Sequence, residues 1–315
     1  MIPPSREAPP WEGAPPEQLA NRYYEATTWI YRRAWGSSFH FAPLRRGEPR
    51  HTAIRRYEYE IAEALGIRAS SLCLDLGCGV GGPASRIAAS TAARIVALNS
   101  NVGQLGIMRR ARRPAADVRA VGGDFARLPF DARTFDVAYA FEALCHAVDI
   151  AAVFREVHRV LRPGGVLGFS EWCLTDAFDP QDESHAALRR QIEASYGVAR
   201  LRAWPEWHAA LIAAGFRVTR TIDRASSDDA GEGHEPWYRA LLPRDATLDS
   251  FGRRPTMRAL EERALSLAER ARLVPRGTAE TVRVLRTGTT TLVEAGRRGI
   301  FTPMRLVVAR KADGE

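Results

Sequence analysis

A glycine-rich turn follows an apolar run in the first third of the chain. Residues 71–76 read SLCLDL, and the next six residues, Gly77–Gly82, read GCGVGG. Glycine is needed where the backbone turns tightly or must approach a ligand closely. The spacing satisfies the GxGxxG pattern, which enzymes that bind dinucleotides share with methyltransferases. The turn therefore predicts a cofactor site without choosing the cofactor.

Polar residues at the ends of three predicted strands discriminate between these cofactors. Asp75 lies two residues before the first glycine, where its charge would repel a pyrophosphate but attract a cationic amine and a sulfonium. Asn99 ends the next strand and can hydrogen-bond a ribose diol, whereas a dinucleotide site favours Asp or Glu there. Asp124 ends the third strand and can accept a hydrogen bond from an adenine amino group. S-adenosylmethionine fits all three positions and NAD fits only the glycines; the alternative is that Asp75 and Asp124 are plain turn residues.

The segment 71–177 must position these residues, because it alternates short apolar runs with helical patterns. Such alternation predicts a parallel sheet covered by helices. Asp149 is suited to cap a helix over 150–161, and Pro83 suits the first turn of another helix. The five predicted strands are 71–76, 94–100, 117–124, 134–144 and 166–174.

The flanking regions differ from this core. Residues 1–18 carry six prolines, which predicts an extended, poorly ordered leader. Beyond residue 177 we expect a strand at 216–223, helical segments at about 247–272 and 278–297, and a closing strand at 301–310 that joins the sheet. The predicted architecture is one doubly wound α/β domain. Its segments are a leader (1–18), a substrate-binding lid (19–70), a cofactor-binding core (71–177), and C-terminal cap helices with closing strands (178–315).

Longer motifs make the chain similar to a known family. The segments LDLGCGVGGPASRIA, LNSNVGQL, GDFARLPF, FDVAYAFEALCHAVD, SEWCLTDAFDP and FTPMRLVVAR resemble those of sterol 24-C-methyltransferases, and so does the upstream YRRAWGSSFHFAPLRRGE. The resemblance runs from about residue 21 to 311. It implies a class I, Rossmann-like methyltransferase fold with an N-terminal aromatic helical lid, and S-adenosylmethionine as the cofactor. The cofactor-binding residues it implies are Asp75, Gly77, Cys78, Gly79, Asn99, Ser100, Asn101, Gln104, Gly123, Asp124 and Phe125.

The family's reaction implies methyl transfer to the side-chain alkene of a sterol, a tertiary carbocation, a hydride shift and loss of a proton. The cation needs neighbours that do not trap it, such as aromatic faces, and a base must take the proton. Glu142 and Glu171 lie at ligand-facing strand ends. We expect Glu142 at the junction of cofactor and substrate, and Glu171 in substrate orientation or deprotonation. His146 is either a proton relay or a supporting residue.

Seven aromatic residues lie between positions 23 and 41, more than a packing segment normally carries. A wall around an apolar substrate is one interpretation, and ordinary packing is the other. Arg32, Arg33 and Ala34 replace an acidic residue, an aromatic residue and a glycine of the family, which keeps a different isoprenoid or terpenoid alkene open. The candidate substrate-binding residues are Tyr23, Tyr24, Tyr31, Trp35, Phe39, His40 and Phe41.

Composition narrows the remaining possibilities. The net charge is +8, but 44 of the 45 basic residues are arginines in scattered doublets, which argues against a nucleic-acid partner. The four cysteines form no CxxC pair, so neither a metal site nor a disulfide framework is expected. No apolar run reaches the ~18 residues of a membrane span, and the N-terminus lacks the apolar region of a secretory signal. We expect a cytoplasmic protein; contact with an acidic membrane surface and self-association stay open.

Two further functions stay open. The chain could be a C-, O- or N-methyltransferase of another terpenoid, although O-methylation needs a base beside an acidic hydroxyl, whereas an aromatic, water-poor pocket suits an alkene. From a different class, it could be a lipid-binding protein that retains the fold without turnover. Intact cofactor motifs argue against that alternative.

Overall fold

The computed structural model describes residues 9–111, 117–226, 233–242 and 255–312, with the backbone alone between 255 and 261. The helices of these residues are α1 Pro16–Ala34, α2 Arg50–Ala64, α3 Gly82–Thr91, α4 Val102–Arg110, α5 Ile150–Val160, α6 Glu183–Tyr196, α7 Trp204–Ala213, α8 Pro255–Arg270 and α9 Thr278–Arg297. The strands are β1 Leu44–Arg45, β2 Leu72–Leu76, β3 Arg94–Asn99, β4 Val118–Gly122, β5 Phe135–Phe141, β6 Leu161–Leu174, β7 Phe216–Asp223, β8 His234–Glu235 and β9 Phe301–Lys311. Short 3-10 turns lie at Leu144–His146 and Trp237–Leu241.

Seven strands form the central sheet in the order β4-β3-β2-β5-β6-β9-β7. The first five are parallel, and β9 runs antiparallel between β6 and β7. The chain winds outward from β2 through β3 to β4, then crosses to β5 on the other side. The resulting switch point between β2 and β5 is where open α/β sheets bind ligands. The expected α/β fold and the closing strand that joins the sheet are both confirmed.

Local sequence explains several of these elements. The side chain of Asp149 accepts a hydrogen bond from the Ala152 backbone N–H at 3.0 Å and caps α5, as predicted. Below the cap, one face of α5 is buried, as its helical spacing of apolar residues requires. Pro83 stands in the first turn of α3, where its missing N–H costs nothing. The strand 216–223 and the helix 278–297 match β7 and α9.

Helices cover the sheet on both faces. One apolar layer holds α2 and α3 against it, and the opposite layer holds α5 and α7. A third apolar cluster lies where α1, α6 and α9 meet residues at the carboxyl end of β6. The N-terminal helix and the late helices therefore pack beside the ligand-binding edge of the sheet.

Two expectations need correction. The predicted leader is packed from Pro9 onward: the Trp11 side chain is 1% exposed and its Nε1 donates to the Ala194 carbonyl at 2.8 Å. The free energy gained by burying the large Trp11 indole orders this segment, although its proline-rich composition favours an extended chain. Strand β6 begins at Leu161, directly after α5, whereas the predicted helix ran to residue 161 and the predicted strand began at residue 166. Residues 1–8 of the leader, and residues 247–254 of the predicted helix, lie outside the described residues.

Candidate active site

A concave site lies at the carboxyl ends of β2, β3 and β5. Its cavity has a volume of about 490 Å³, within the usual range for small-molecule sites. Residues of α1, including Glu17 and Asn21, close one side. We call it the glycine-turn cavity. Nine of the eleven residues expected to bind the cofactor line it: Asp75, Gly77, Cys78, Gly79, Asn99, Ser100, Gln104, Asp124 and Phe125.

Two glycines of the turn are required for different reasons. Both have a left-handed backbone, with φ of 78° at Gly77 and 55° at Gly79. A Cβ atom on Gly77 would lie 2.5 Å from the Cβ of Ala143, so this glycine permits close packing. A Cβ atom on Gly79 would meet no protein atom within 4 Å. Because Gly79 lines the cavity, its backbone is free to contact a ligand there.

Asp75 provides a buried carboxylate at this site. Its side chain is 2% exposed, and its Oδ2 makes no hydrogen bond of ordinary geometry, although the neighbouring Tyr139 hydroxyl is close enough to lower the pKa of the carboxyl in part. Burial raises the pKa of the Asp75 carboxyl to about 8, because a charged group is disfavoured in a poorly solvated environment. A cationic ligand group in the cavity would supply the missing partner and favour the charged form. The orphaned oxygen therefore fits the amine of an amino-acid-like cofactor.

Hydrogen bonds connect the end of β3 to α1. Asn99 Nδ2 donates to the Gly79 carbonyl at 3.2 Å and to Gln104 Oε1 at 2.8 Å. Gln104 Nε2 in turn donates to the Thr28 hydroxyl at 3.0 Å. Ser100 Oγ contacts the side-chain oxygen of Asn21 at 3.1 Å. The cofactor side of the site is thus tied directly to the N-terminal helix.

A second, aromatic cavity of about 200 Å³ adjoins the first. Helices α1 and α9, the segment 35–41 and the end of β6 supply its walls. None of the described residues that line it is lysine or arginine. Its lining includes six of the seven expected substrate residues: Tyr23, Tyr24, Tyr31, Trp35, Phe39 and Phe41.

The two cavities meet at four shared residues, Tyr24, Phe39, Glu142 and His146. Glu142 follows β5 with a left-handed backbone (φ 48°). Its Oε1 accepts from the Phe41 backbone N–H at 2.5 Å, and its Oε2 accepts from Trp172 Nε1 at 2.7 Å. Burial raises the pKa of this carboxyl well above its ordinary value, against the effect of the two donors. A cation at the junction would offset that penalty.

His146 is held between α1 and the end of α6. Its Nδ1 lies 3.0 Å from the Gly197 carbonyl oxygen, and its Nε2 lies 3.2 Å from the Tyr24 hydroxyl. Burial lowers the pKa of the imidazole to about 4, so the ring is neutral near pH 7. A neutral ring at the junction can accept a proton.

Sequence comparison assigns the chain to a family. Two family models match, a methyltransferase domain over residues 74–169 and the sterol methyltransferase C-terminal region over residues 250–312. A cycloartenol-C-24-methyltransferase of Arabidopsis thaliana is 36% identical over 298 residues, which cover 94% of this chain and 87% of that protein. The sterol 24-C-methyltransferase of Saccharomyces cerevisiae is 34% identical over 306 residues, covering 94% and 79%. The chain belongs to the sterol methyltransferase family. It is a methyltransferase, and its cofactor is S-adenosylmethionine.

The fold agrees with this assignment. The geranyl diphosphate C-methyltransferase of Streptomyces coelicolor, solved with S-adenosylhomocysteine, superposes with a TM-score of 0.67 over 95% of this chain and 98% of that one, at 17% identity. Identity this low supports a shared fold alone. Among the described residues of the methyltransferase no helix is long and apolar enough to cross a membrane, and no cluster of His, Cys, Asp or Glu suits a metal ion.

Four residues expected in the site of the methyltransferase do not line the cavity assigned to them: Asn101, Gly123, Glu171 and, described in the next paragraph, His40. Asn101 caps α4 by accepting from the Gln104 backbone N–H, and Gly123 allows close packing on Leu98. Glu171 lines neither cavity: its oxygens accept from the backbone N–H groups of Leu144 at 2.6 Å and Trp172 at 3.0 Å. Two backbone donors satisfy this buried carboxylate, which therefore holds the turn after β5.

His40 lines the glycine-turn cavity but belongs to a buried ion cluster rather than to the aromatic wall. Its Nε2 donates to Glu58 Oε1 at 3.0 Å, and its Nδ1 lies 2.7 Å from the Phe41 carbonyl oxygen. Glu58, fully buried, also accepts from the Arg86 guanidinium and the Ser38 hydroxyl. This cluster anchors the segment 38–41 that carries Phe41 to Glu142.

Sequence inspection missed several residues of the aromatic cavity. Trp172 provides the indole donor to Glu142, and Tyr196 closes the wall at the end of α6. Helix α9 contributes Leu285, Thr289 and Leu292, which recur at helical spacing and so share one face. That spacing was the one signal available in advance.

Arg32 and Arg33, in contrast, are exposed in the last turn of α1 and line neither cavity.

Proposed function

We propose that this enzyme transfers a methyl group to the side-chain alkene of a sterol. The observation that carries the proposal is the junction of the two cavities, where a buried carboxylate, a neutral imidazole and aromatic faces surround one point. The relatives named for sterol 24-C-methylation cover nearly the whole chain. A largely aromatic cavity whose described lining holds no lysine or arginine suits a hydrocarbon better than a phosphorylated substrate.

Bound S-adenosylmethionine supplies an electrophilic methyl group, and its addition to an alkene leaves a tertiary carbocation on the substrate. We assign Asp75 to the cofactor amine, because it is a buried carboxylate that lines the glycine-turn cavity and whose Oδ2 makes no well-formed hydrogen bond. Gly79 allows the backbone to contact the cofactor, and Asp124 and Phe125 line the same cavity. Asn99 holds the turn in place through Gly79 and Gln104.

Glu142 and the aromatic side chains would stabilise the cation. The two N–H donors on Glu142 fix its carboxylate at the junction, where a negative charge favours a cation without forming a bond to it. Rings such as Tyr24 and Phe39 line the same point and contribute about 0.5–2 kcal/mol each through cation–π attraction. The aromatic wall also limits the access of water that would trap the cation.

Exposure of Arg32 and Arg33 favours a sterol over a more polar isoprenoid. Because neither side chain lines a cavity, these two departures leave the substrate wall intact, whereas the third, Ala34, lines the aromatic cavity. The double substitution R32E/R33F should therefore keep the preference for a Δ24 sterol. A switch in preference would instead favour the alternative, a terpenoid whose polar group meets these arginines.

The test is an assay with labelled S-adenosylmethionine. We expect label transfer to Δ24 sterols, with none to the matching sterols whose side chain is saturated. Label transfer to linear isoprenoid alkenes in the same panel would support the alternative substrate class. Binding of S-adenosylhomocysteine without label transfer to any compound would support the lipid-binding alternative instead.

We further propose that the surface around α8 contacts acidic membranes, from which an apolar substrate could be drawn. Leu267 is 63% exposed and Leu273 is 79% exposed, beside the exposed Arg270 and Arg272. Apolar side chains among basic ones suit an anionic lipid surface. Flotation with phosphatidylserine vesicles should be lost in L267S/L273S and kept in the matched control I212S, another exposed apolar position on α7. The cytoplasmic location stays a prediction. Self-association also stays a prediction, and light scattering would measure the mass of the protein in solution.

A further inference from the structure

We propose that Tyr24 and His146 together accept the proton that the substrate cation loses, with Tyr24 as the catalytic residue that touches the substrate. This inference rests on the proposed function, because it requires a carbocation at the junction. Both residues line both cavities. Their side chains meet at 3.2 Å, between the Tyr24 hydroxyl and His146 Nε2.

The hydrogen-bond partners assign the tautomer of His146. The Gly197 carbonyl oxygen, 3.0 Å from Nδ1, can only accept, so Nδ1 carries the hydrogen. In the neutral ring Nε2 then has a free electron pair, and the Tyr24 hydroxyl donates to it. Gly197 itself has a left-handed backbone (φ 59°) and packs against Tyr23, which fixes the position of its carbonyl.

The Tyr24 oxygen keeps lone pairs available to the cavity while its hydrogen points to His146. When a C–H bond beside the cationic carbon breaks, its electron pair forms the product alkene. The proton goes to the Tyr24 oxygen as the original Tyr24 proton moves to His146 Nε2. The step leaves a neutral tyrosine, an imidazolium and a neutral substrate, so charge and atoms balance. A carbocation is a very strong acid, so a phenol backed by an imidazole is a sufficient base.

His146 can then return to its starting state. Its burial lowers the pKa of the imidazole to about 4, so the imidazolium gives up its proton readily. The ring lines the glycine-turn cavity as well as the aromatic one, which provides a route for the proton away from the product.

The other groups near the junction are less suited to this step. Glu142 is the competing base, since burial raises the pKa of its carboxyl, but the N–H donors on both of its oxygens, Phe41 and Trp172, favour the charged form and hold it in place. The hydroxyls of Tyr23 and Tyr31 pair with each other. Glu142 therefore stabilises the cation, whereas the Tyr24 hydroxyl is hydrogen-bonded to the unprotonated Nε2 of His146, which can take up its proton.

The test uses Tyr24→Phe, which keeps the ring and removes the hydroxyl, in the full-length enzyme with a Δ24 sterol. Its matched control is Tyr57→Phe, which also removes a buried hydroxyl, one that bonds Ser170 at 2.8 Å and lines neither cavity. S-adenosylhomocysteine and the sterol products are both quantified. We expect Y24F to form at least 10-fold less of the wild-type alkene per S-adenosylhomocysteine released, with alcohols or isomeric alkenes in its place. Y57F should keep the wild-type ratio.

A wild-type product ratio in Y24F would overturn the relay and leave the proposed function standing. Absence of any methylated sterol from the wild-type enzyme would overturn the proposed function, and the relay with it. Should Y24F fail to bind S-adenosylhomocysteine or to fold, H146Q gives the second test. It keeps a hydrogen-bonding side chain but removes the basic nitrogen, and it should shift the products in the same direction. An unchanged ratio in H146Q refutes the relay.

Discussion

The buried ion cluster around Glu58 predicts a large, pH-dependent loss of stability in Glu58→Gln. Burial by itself raises the pKa of the Glu58 carboxyl, but hydrogen bonds from Arg86 and His40 outweigh it and bring the pKa from 4.5 to about 2. This difference of about 2.5 corresponds to about 3 kcal/mol in the free energy of unfolding. Because the variant also leaves the Arg86 guanidinium and His40 without their carboxylate partner, we expect a total loss of about 3–5 kcal/mol at pH 7.

The sign of the pH dependence follows from the lowered pKa. The stabilisation by Glu58 is fully present above the ordinary pKa of 4.5 and is lost as the pH falls towards 2. Between pH 7 and pH 4 the difference between wild type and E58Q should narrow by about 1 kcal/mol. Urea unfolding followed by tryptophan fluorescence at pH 7, 5 and 4 measures the free energy of unfolding of both proteins, and hence this difference. The matched control is Glu63→Gln, an exposed glutamate on the same helix, which should change stability by less than about 0.5 kcal/mol.

The same variant should affect activity at temperatures where it remains folded. Ser38 and His40 hold the segment whose Phe41 N–H donates to Glu142, so loosening the cluster should disturb the junction. A loss below about 1 kcal/mol at pH 7, or a difference that does not narrow on acidification, refutes the view that Glu58 is a strongly paired carboxylate.

Three other variants test the site and the fold. Gly79→Val should abolish binding of S-adenosylhomocysteine in calorimetry, because its side chain would enter the cavity from a left-handed backbone position; retained binding would place the cofactor elsewhere. Glu142→Gln should lower turnover by about 100-fold or more, since it keeps size but loses charge, and should cost about 1–3 kcal/mol of stability because its amide nitrogen faces one of the two N–H donors; wild-type turnover would make Glu142 a structural residue. Trp11→Ala should destabilise the protein by about 3–5 kcal/mol in urea unfolding, whereas an unstructured leader predicts no change.

The sequence by itself determined the parts of this protein that depend on local pattern. Alternating apolar runs and helical spacing predicted the strands and most helices between 71 and 177, and Asp149 capped its helix as expected. The glycine turn with Asp75, Asn99 and Asp124 lies at one edge of the sheet, because the carboxyl ends of parallel strands meet there. Aromatic crowding between 23 and 41 likewise indicated a wall, and six of its residues line one cavity.

Tertiary structure decided which side chains face that cavity. Successive residues of a strand point to opposite faces, so only one of Glu171 and Trp172 can reach the junction. Sequence inspection favoured the charged residue, but the structure turns Trp172 towards Glu142 and leaves Glu171 to bind backbone N–H groups. His40 does not line the aromatic cavity, because its Nε2 donates a hydrogen bond to Glu58, a residue 18 positions along the chain.

The junction itself is also a tertiary product. Tyr24, Glu142 and His146 come from α1 and from the turn after β5, and the carbonyl that orients His146 belongs to Gly197. No local pattern links positions so far apart. Their approach follows from packing α1 and α6 against the edge of the sheet, where burial of apolar surface, rather than the polar groups themselves, determines the arrangement.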